Sequence, residues 1–306
     1  MKIIIAIPTY NGQELWGEVV NNIKKYAPSD VAVKVVDSGS VDNTVKYALD
    51  SGFTVEQISS SEFNHGGTRN YLVEKYIDTH DIVVFLTQDA IPQRNFIDEI
   101  VSVFEDMDVV CAYGRQMPHK NANPIAQHAR FFNYTDTSFI CDKESRESLG
   151  LKTVFMSNSF SAYRLSTFKT LGGFPSNTIL CEDMFFTAKA ILAGYKSAYV
   201  ADAIVLHSHN YTPLQEFCRY FDIGVFHSDE FWIRSEFGGA GGEGKKFILS
   251  EIKYLVKKGY RWIPYACMNN FMKLLGYKIG LKYKLLPHSI VRTFSMHKRF
   301  WKSKDI

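Results

Sequence analysis

Five consecutive apolar residues, Ile82 to Leu86, interrupt a polar surround and run straight into Thr87-Gln88-Asp89. An unbroken apolar run of this length predicts a strand buried on both faces, as in the middle of a parallel sheet. Further strands are predicted at 2–8, 31–36 and 53–58. Between the first two, Leu15, Val19, Val20 and Ile23 recur at helical spacing and predict a helix over 13–26. Asp42-Asn43-Thr44 opens a second helix. Strand, helix, strand, helix, strand is the pattern of two crossover units, hence a Rossmann-like, mostly parallel sheet flanked by helices.

A helix over 96–105 and a strand over 109–113 continue the alternation. Residues 114–155 then lose any regular period. A connection this long inside a compact domain reads as a functional loop, one placed to wall an acceptor site. A strand at 157–163, a helix from Cys181 to Gly194 and a strand at 199–206 follow. Thr212-Pro213-Leu214-Gln215 is a capping box with proline at the first helical position. The pattern divides the chain into a body over 1–237, a Gly-rich hinge over 238–244, and a helical extension over 245–306. In the extension Ile248, Ile252, Leu255 and Val256 form one stripe, and Ile290, Phe294, His297 and Trp301 another.

Charge sharpens that division. The chain has 306 residues and a net charge of +3. Residues 245–306 hold 15 Lys and Arg against Glu251 and Asp305, while residues 1–244 hold 20 bases and 30 acids. An acidic body argues against nucleic acid as the main ligand. A basic extension rich in Tyr and Trp fits an anionic membrane surface. The alternative is that it packs on the body or on another subunit of a homo-oligomer. No apolar run approaches the ~18 residues of a membrane-spanning helix. Five dispersed cysteines without C-x-x-C spacing suit a reducing cytoplasm better than a disulfide framework.

The candidate chemistry sits where strands end, since open α/β sheets bind ligands beyond the carboxyl ends of their strands. Asp37 and Asp89 both follow strands. Each suits a ligand hydroxyl, a base or a cation, and each has the alternative of a turn or helix cap. In Phe63-Asn64-His65-Gly66-Gly67-Thr68-Arg69-Asn70 the glycines allow close backbone approach to a ligand. Arg69, in a helix's first turn, opposes the helix dipole and suits a phosphate. Glu182-Asp183 opens another helix. Its Asp, ionised at neutral pH, can take a proton from an attacking hydroxyl. His207 and His209 point the same way on extended chain and are candidate metal ligands beside Asp89. No G-x-G-x-x-G follows the first strand, so no dinucleotide fingerprint is present.

In their order these residues resemble the family 2 glycosyltransferases with a GT-A fold, and within that family the bacterial rhamnosyltransferases. The resemblance covers roughly residues 1–230. It implies nucleotide contacts from Pro8-Thr9-Tyr10-Asn11 and from Asp37, which matches the acid that reads the pyrimidine. His65, Gly66 and Arg69 fall where the rhamnosyl subgroup contacts the donor. Thr87-Gln88-Asp89 stands at the family's D-x-D, keeping only the last acid. Gln88 and Asp89 would meet the donor, and Asp89 with His207 would hold a divalent cation, Mg or Mn. Asp183 matches the catalytic base, with Glu182, His209 and Arg219 as acceptor or donor contacts. Tyr220-Phe221-Asp222-Ile223-Gly224 also resembles the subgroup.

The implied activity is inverting transfer of a sugar to a lipid-linked cell-surface polysaccharide, at the inner face of the bacterial plasma membrane. The implied donor is dTDP-rhamnose. Another sugar nucleotide (a UDP-hexosamine, UDP-galactose or UDP-galactofuranose) is the first alternative, and a non-catalytic sugar-nucleotide-binding protein the second.

Overall fold

A computed structural model describes residues 1–239 and 242–302. Nine strands form one sheet: β1 Ile3–Thr9, β2 Ala32–Asp37, β3 Thr54–Gln57, β4 Ile82–Leu86, β5 Ile91–Pro92, β6 Val109–Met117, β7 Phe139–Cys141, β8 Phe160–Arg164 and β9 Lys196–Leu206. Their order is β3-β2-β1-β4-β8-β6-β9-β5, with β7 also on β9. The β3-β2-β1-β4 block and the β6–β9 pair are parallel, and β8 runs antiparallel between β4 and β6. The crossover units expected from the alternation build the parallel block.

The two faces of the sheet explain the apolar runs. Ile5 and Ile7 of β1, with Val84 and Leu86 of β4, pack under the Gln13–Tyr26 helix through Trp16, Val19 and Ile23. Ile4, Ala6, Val83 and Phe85 face the other way, onto Leu72, Tyr163, Phe174 and Phe186. All five residues of β4 are fully buried, so a polar residue there would lose water without gaining a partner.

The loop after β6 is partly ordered by the Pro124–Asn133 helix, which Asn123 caps by accepting the Ala126 N–H. The register between β6 and β9 breaks after Gly114, where a Cβ would lie 2.3 Å from the Phe160 ring. All five cysteines are unpaired.

Residues beyond 242 fold onto the body. The Glu243–Lys258 helix packs on Pro124–Asn133, through Leu255 and Ile125. The Ile263–Gly280 helix lies against Pro213–Asp229 with backbone nearly touching backbone. A Cβ on Gly276 or Gly280 would sit 2.3 or 2.1 Å from the carbonyl oxygens of Phe217 or Phe221, and one on Gly224 would sit 2.5 Å from that of Tyr277. Val291, Phe294 and Trp301 complete a third apolar cluster with Phe221, Val225 and Ile191. Residues 240 and 241 of the expected hinge lie outside the described residues. No described helix is long and apolar enough to cross a membrane.

Candidate active site

Two cavities open at the carboxyl edge of the sheet and share no lining residue. The first, of about 720 Å³, is lined by Pro8, Thr9, Tyr10, His65, Arg69, Thr87, Gln88 and Asp89, and by residues 296–300. The second, of about 560 Å³, is lined by Asp183, His207, His209 and Arg219, and by Gln116, Arg130, Tyr134, Tyr211, Tyr220 and Lys273 among others.

Asp89 forms the seam between them. Its Oδ2 lies 3.4 Å from His207 Nε2 and 3.5 Å from His209 Nε2. One ligand atom from each of the three residues fits within a span of 4.8 Å. The donor set suits a divalent cation, and a hydrogen-bond chain supports this. Arg130 Nη1 donates to Gln116 Oε1 at 2.7 Å, which fixes that atom as the amide oxygen. Gln116 Nε2 donates to Ser157 Oγ at 2.7 Å. Gln116 Oε1 lies 2.8 Å from His207 Nδ1, which must therefore be the protonated nitrogen. With Nδ1 donating to Gln116, His207 turns its Nε2 toward the Asp89 carboxylate, an arrangement that a cation between them stabilises. Burial, with the His207 charge, lowers His209 to about 4 and keeps its imidazole neutral. Asp89 is held well below the usual carboxylate range: burial opposes this, but the two imidazoles outweigh it. His209, a candidate metal ligand by its spacing and an acceptor or donor contact by resemblance, lies with Asp89 and His207 in the group that could hold an ion.

Asp183 and Glu182 part ways at the start of the Glu182–Leu192 helix. Cys181 ahead of them takes φ 58°, a left-handed conformation uncommon outside glycine. Glu182 is buried and lies 3.1 Å from Arg69 Nη1. It accepts a 2.9 Å bond from Asn158 Nδ2. Asp183 faces the second cavity and accepts N–H bonds from Asn158 (3.0 Å) and Met184 (2.8 Å). Burial, reinforced by the Glu182 charge, raises Asp183 to about 7. The expectation that it is simply ionised at neutral pH is corrected: it is poised there.

Four residues read as site residues reach neither cavity. Asp37 is fully buried, and its carboxylate accepts Thr9 Oγ1 (3.0 Å), Gly39 N–H (3.1 Å), Ser40 N–H (2.8 Å) and Ser40 Oγ (2.5 Å). It pins two strand-end loops together. Asn11 Oδ1 accepts the Val41 N–H at 2.9 Å and holds the same loops. Gly66 is needed because a Cβ there would lie 2.0 Å from the Pro175 carbonyl oxygen, so its close approach is to protein. Glu182 occupies Arg69, which also donates to the His65 carbonyl at 3.0 Å. Gln88 lines the first cavity while pairing with the Tyr10 backbone in both directions, at 2.7 and 2.9 Å.

Sequence reasoning missed Gln116, Arg130 and Asn158, which orient the chemistry, and residues 296–300, which close the first cavity. Gln116 and Arg130 fall in the aperiodic stretch 114–155, whose length was the one available signal.

The sequence profile of glycosyl transferase family 2 matches residues 4–172. The O-antigen chain rhamnosyltransferase RfbN of Salmonella typhimurium is 52% identical over 303 residues, covering 98% of this chain and 96% of that one. WbaN of Salmonella anatum, also an O-antigen chain rhamnosyltransferase, is 51% identical over 299 residues, covering 97% and 95%. Among solved structures, the mannosyltransferase PcManGT from Pyrobaculum calidifontis, in complex with GDP-Man and Mn2+, superposes with a TM-score of 0.54 at 17% identity, covering 99% of this chain and 85% of that one. Residues 1–349 of S. aureus TarS give 0.53 at 15% identity, covering 93% and 92%. Profile, relatives and fold agree: the chain belongs to glycosyltransferase family 2 and has the GT-A fold.

Proposed function

We propose that the chain transfers L-rhamnose from dTDP-rhamnose to a hydroxyl of a lipid-linked O-antigen-type polysaccharide, with inversion. The observation that carries this reading is the seam. Asp89 borders a cavity sized for a sugar nucleotide, and its partners His207 and His209 border the cavity that holds Asp183. The rhamnosyl identity rests on the two relatives above half identity.

In this reading Asp183 takes the proton of the acceptor hydroxyl as that oxygen attacks the anomeric carbon. The bond from that carbon to the diphosphate oxygen breaks, and the nucleoside diphosphate leaves. Asn158 and Met184 N–H groups hold the Asp183 carboxylate in place. Asp89, His207 and His209 would hold a Mg or Mn ion, which supplies positive charge to the departing diphosphate. Tyr211 and Tyr220 line the acceptor side, each with the Arg219 guanidinium over its ring.

A third, apolar cavity of about 890 Å³ supports a lipid-linked acceptor. It shares Tyr220, Ile223, His227, Phe247 and Lys273 with the Asp183 cavity and continues outward along Ile248, Ile252, Phe271 and Leu274. Phe271 of its lining is exposed, as are Leu249, Val256 and Met268 on the same two helices. With the neighbouring lysines they suit docking on an anionic membrane surface.

Incubating the enzyme with a lipid-linked glycan and dTDP-rhamnose, UDP-GlcNAc, UDP-galactose or GDP-mannose tests the donor. Preferred turnover of dTDP-rhamnose is expected. Faster transfer from another donor would overturn the rhamnosyl assignment, and nucleotide binding without any transfer would favour a non-catalytic protein.

A further inference from the structure

The first cavity is closed by a segment nearly the whole chain away from its other walls. After the His288–Phe294 helix, residues 295–300 cross back over the body and bring Met296, His297, Lys298 and Arg299 to the cavity that Tyr10 and Asp89 line. This return is held in three places. Asp222, fully buried on the Pro213–Asp229 helix, accepts the backbone N–H of Met296 at 2.9 Å and of His297 at 3.2 Å. The His297 ring meets His65 edge-on, Nδ1 to Nε2 at 3.3 Å. Arg299 lies over the Tyr10 ring at 5.0 Å and donates to Tyr10 Oη at 3.3 Å and to the Ser60 carbonyl at 3.5 Å.

The charges around the cavity give this arrangement its meaning. Arg69, the cation that sequence assigned to phosphate, is taken by Glu182. Lys298 and Arg299 are exposed at the cavity and pair with no carboxylate among the described residues. A sugar nucleotide brings a dianionic diphosphate. We propose that residues 295–299 are a strap belonging to the donor site, in which Lys298 and Arg299 bind the diphosphate and Asp222 is the positioning residue that holds the strap in register. The proposal rests on the donor reading above. It also accounts for Tyr220-Phe221-Asp222-Ile223-Gly224: Asp222 ties down the strap, while Gly224 admits the Ile263–Gly280 helix that leads the chain back to it.

The test is calorimetric titration of the full chain with dTDP and with thymidine, at fixed Mg2+. K298Q/R299Q alters only exposed side chains. It should weaken dTDP on the order of tenfold or more, leave thymidine affinity unchanged, and flatten the salt dependence of dTDP binding. Asp222→Ala should raise the donor KM by a similar factor with kcat held within about twofold, and Asp222→Asn should fall between it and the parent. Unchanged dTDP affinity in K298Q/R299Q would overturn the role of the cations. A lower melting temperature in Asp222→Ala with donor KM preserved would reduce Asp222 to a structural contact. If the unmodified protein binds neither dTDP nor UDP nor GDP, the donor reading itself fails and takes the strap with it.

Discussion

Glu182 and Asp183 are neighbours in the chain, yet their carboxyl groups meet opposite surroundings. Arg69 keeps Glu182 below its ordinary range although burial works against it, and Glu182 then helps burial push Asp183 up. With Asp183 as the proposed base, kcat/KM should fall about tenfold per pH unit below an inflection near 7 and level off above it. Asp183→Asn should abolish detectable transfer while leaving the Kd for dTDP within about twofold. Glu182→Gln removes the neighbouring charge, so its acid limb should move to lower pH. A transfer assay and a dTDP titration check the Asn variant; a pH–rate profile of Glu182→Gln beside the parent checks the other, and an unmoved limb would mean that burial alone sets the pKa. The proposed cation site gives a separate readout. Asp89→Asn should lose Mn2+ binding measured by electron paramagnetic resonance, and Gln116→Leu should weaken it about 10–100-fold by freeing the His207 ring. The sequence singled out Asp89, Asp183 and His207, which line the two cavities, because strand and helix ends are marked by local pattern. It could not show that Asp37 is saturated by Thr9 and Ser40, or that Glu182 occupies Arg69. The Thr9–Asp37 and Arg69–Glu182 pairings join residues 28 and more than a hundred positions apart.

At the level of elements, the tightest junction is the crossing of Pro213–Asp229 with Ile263–Gly280. Both backbones approach until only hydrogen fits between them. Gly280→Ala places a Cβ 2.1 Å from the Phe221 carbonyl oxygen, so the helices must separate. A loss of about 1–3 kcal/mol in denaturant unfolding is expected, together with weaker activity, because Phe221 adjoins Asp222 and Tyr220. Alanine at Gly239, which has open space around it, is the control. The helices themselves were legible: the 13–26 stripe and the capping box at Thr212 appear where the pattern placed them. The crossing was not, since a glycine in a helix declares close packing only once its partner is known.

Over the whole molecule, the charge step between residues 1–244 and 245–306 does not separate two free-standing bodies. The basic helices share apolar clusters with the acidic body, and the strap returns to the first cavity. Deleting residues 245–306 would therefore strip core and site together, and lost vesicle binding by that fragment would say little about membranes. Substituting exposed Leu249, Val256 and Met268 with Glu leaves the packed face and the cavity lining intact. These changes should abolish co-sedimentation with phosphatidylglycerol vesicles while the melting temperature stays within a few degrees. Full retention on such vesicles would count against membrane docking.

The two cavities that meet at Asp89 share no wall residue. Spent nucleotide can depart through one opening while the lengthened glycan still occupies the other. Steady-state inhibition by free dTDP should accordingly be competitive against the sugar donor and noncompetitive against the glycan.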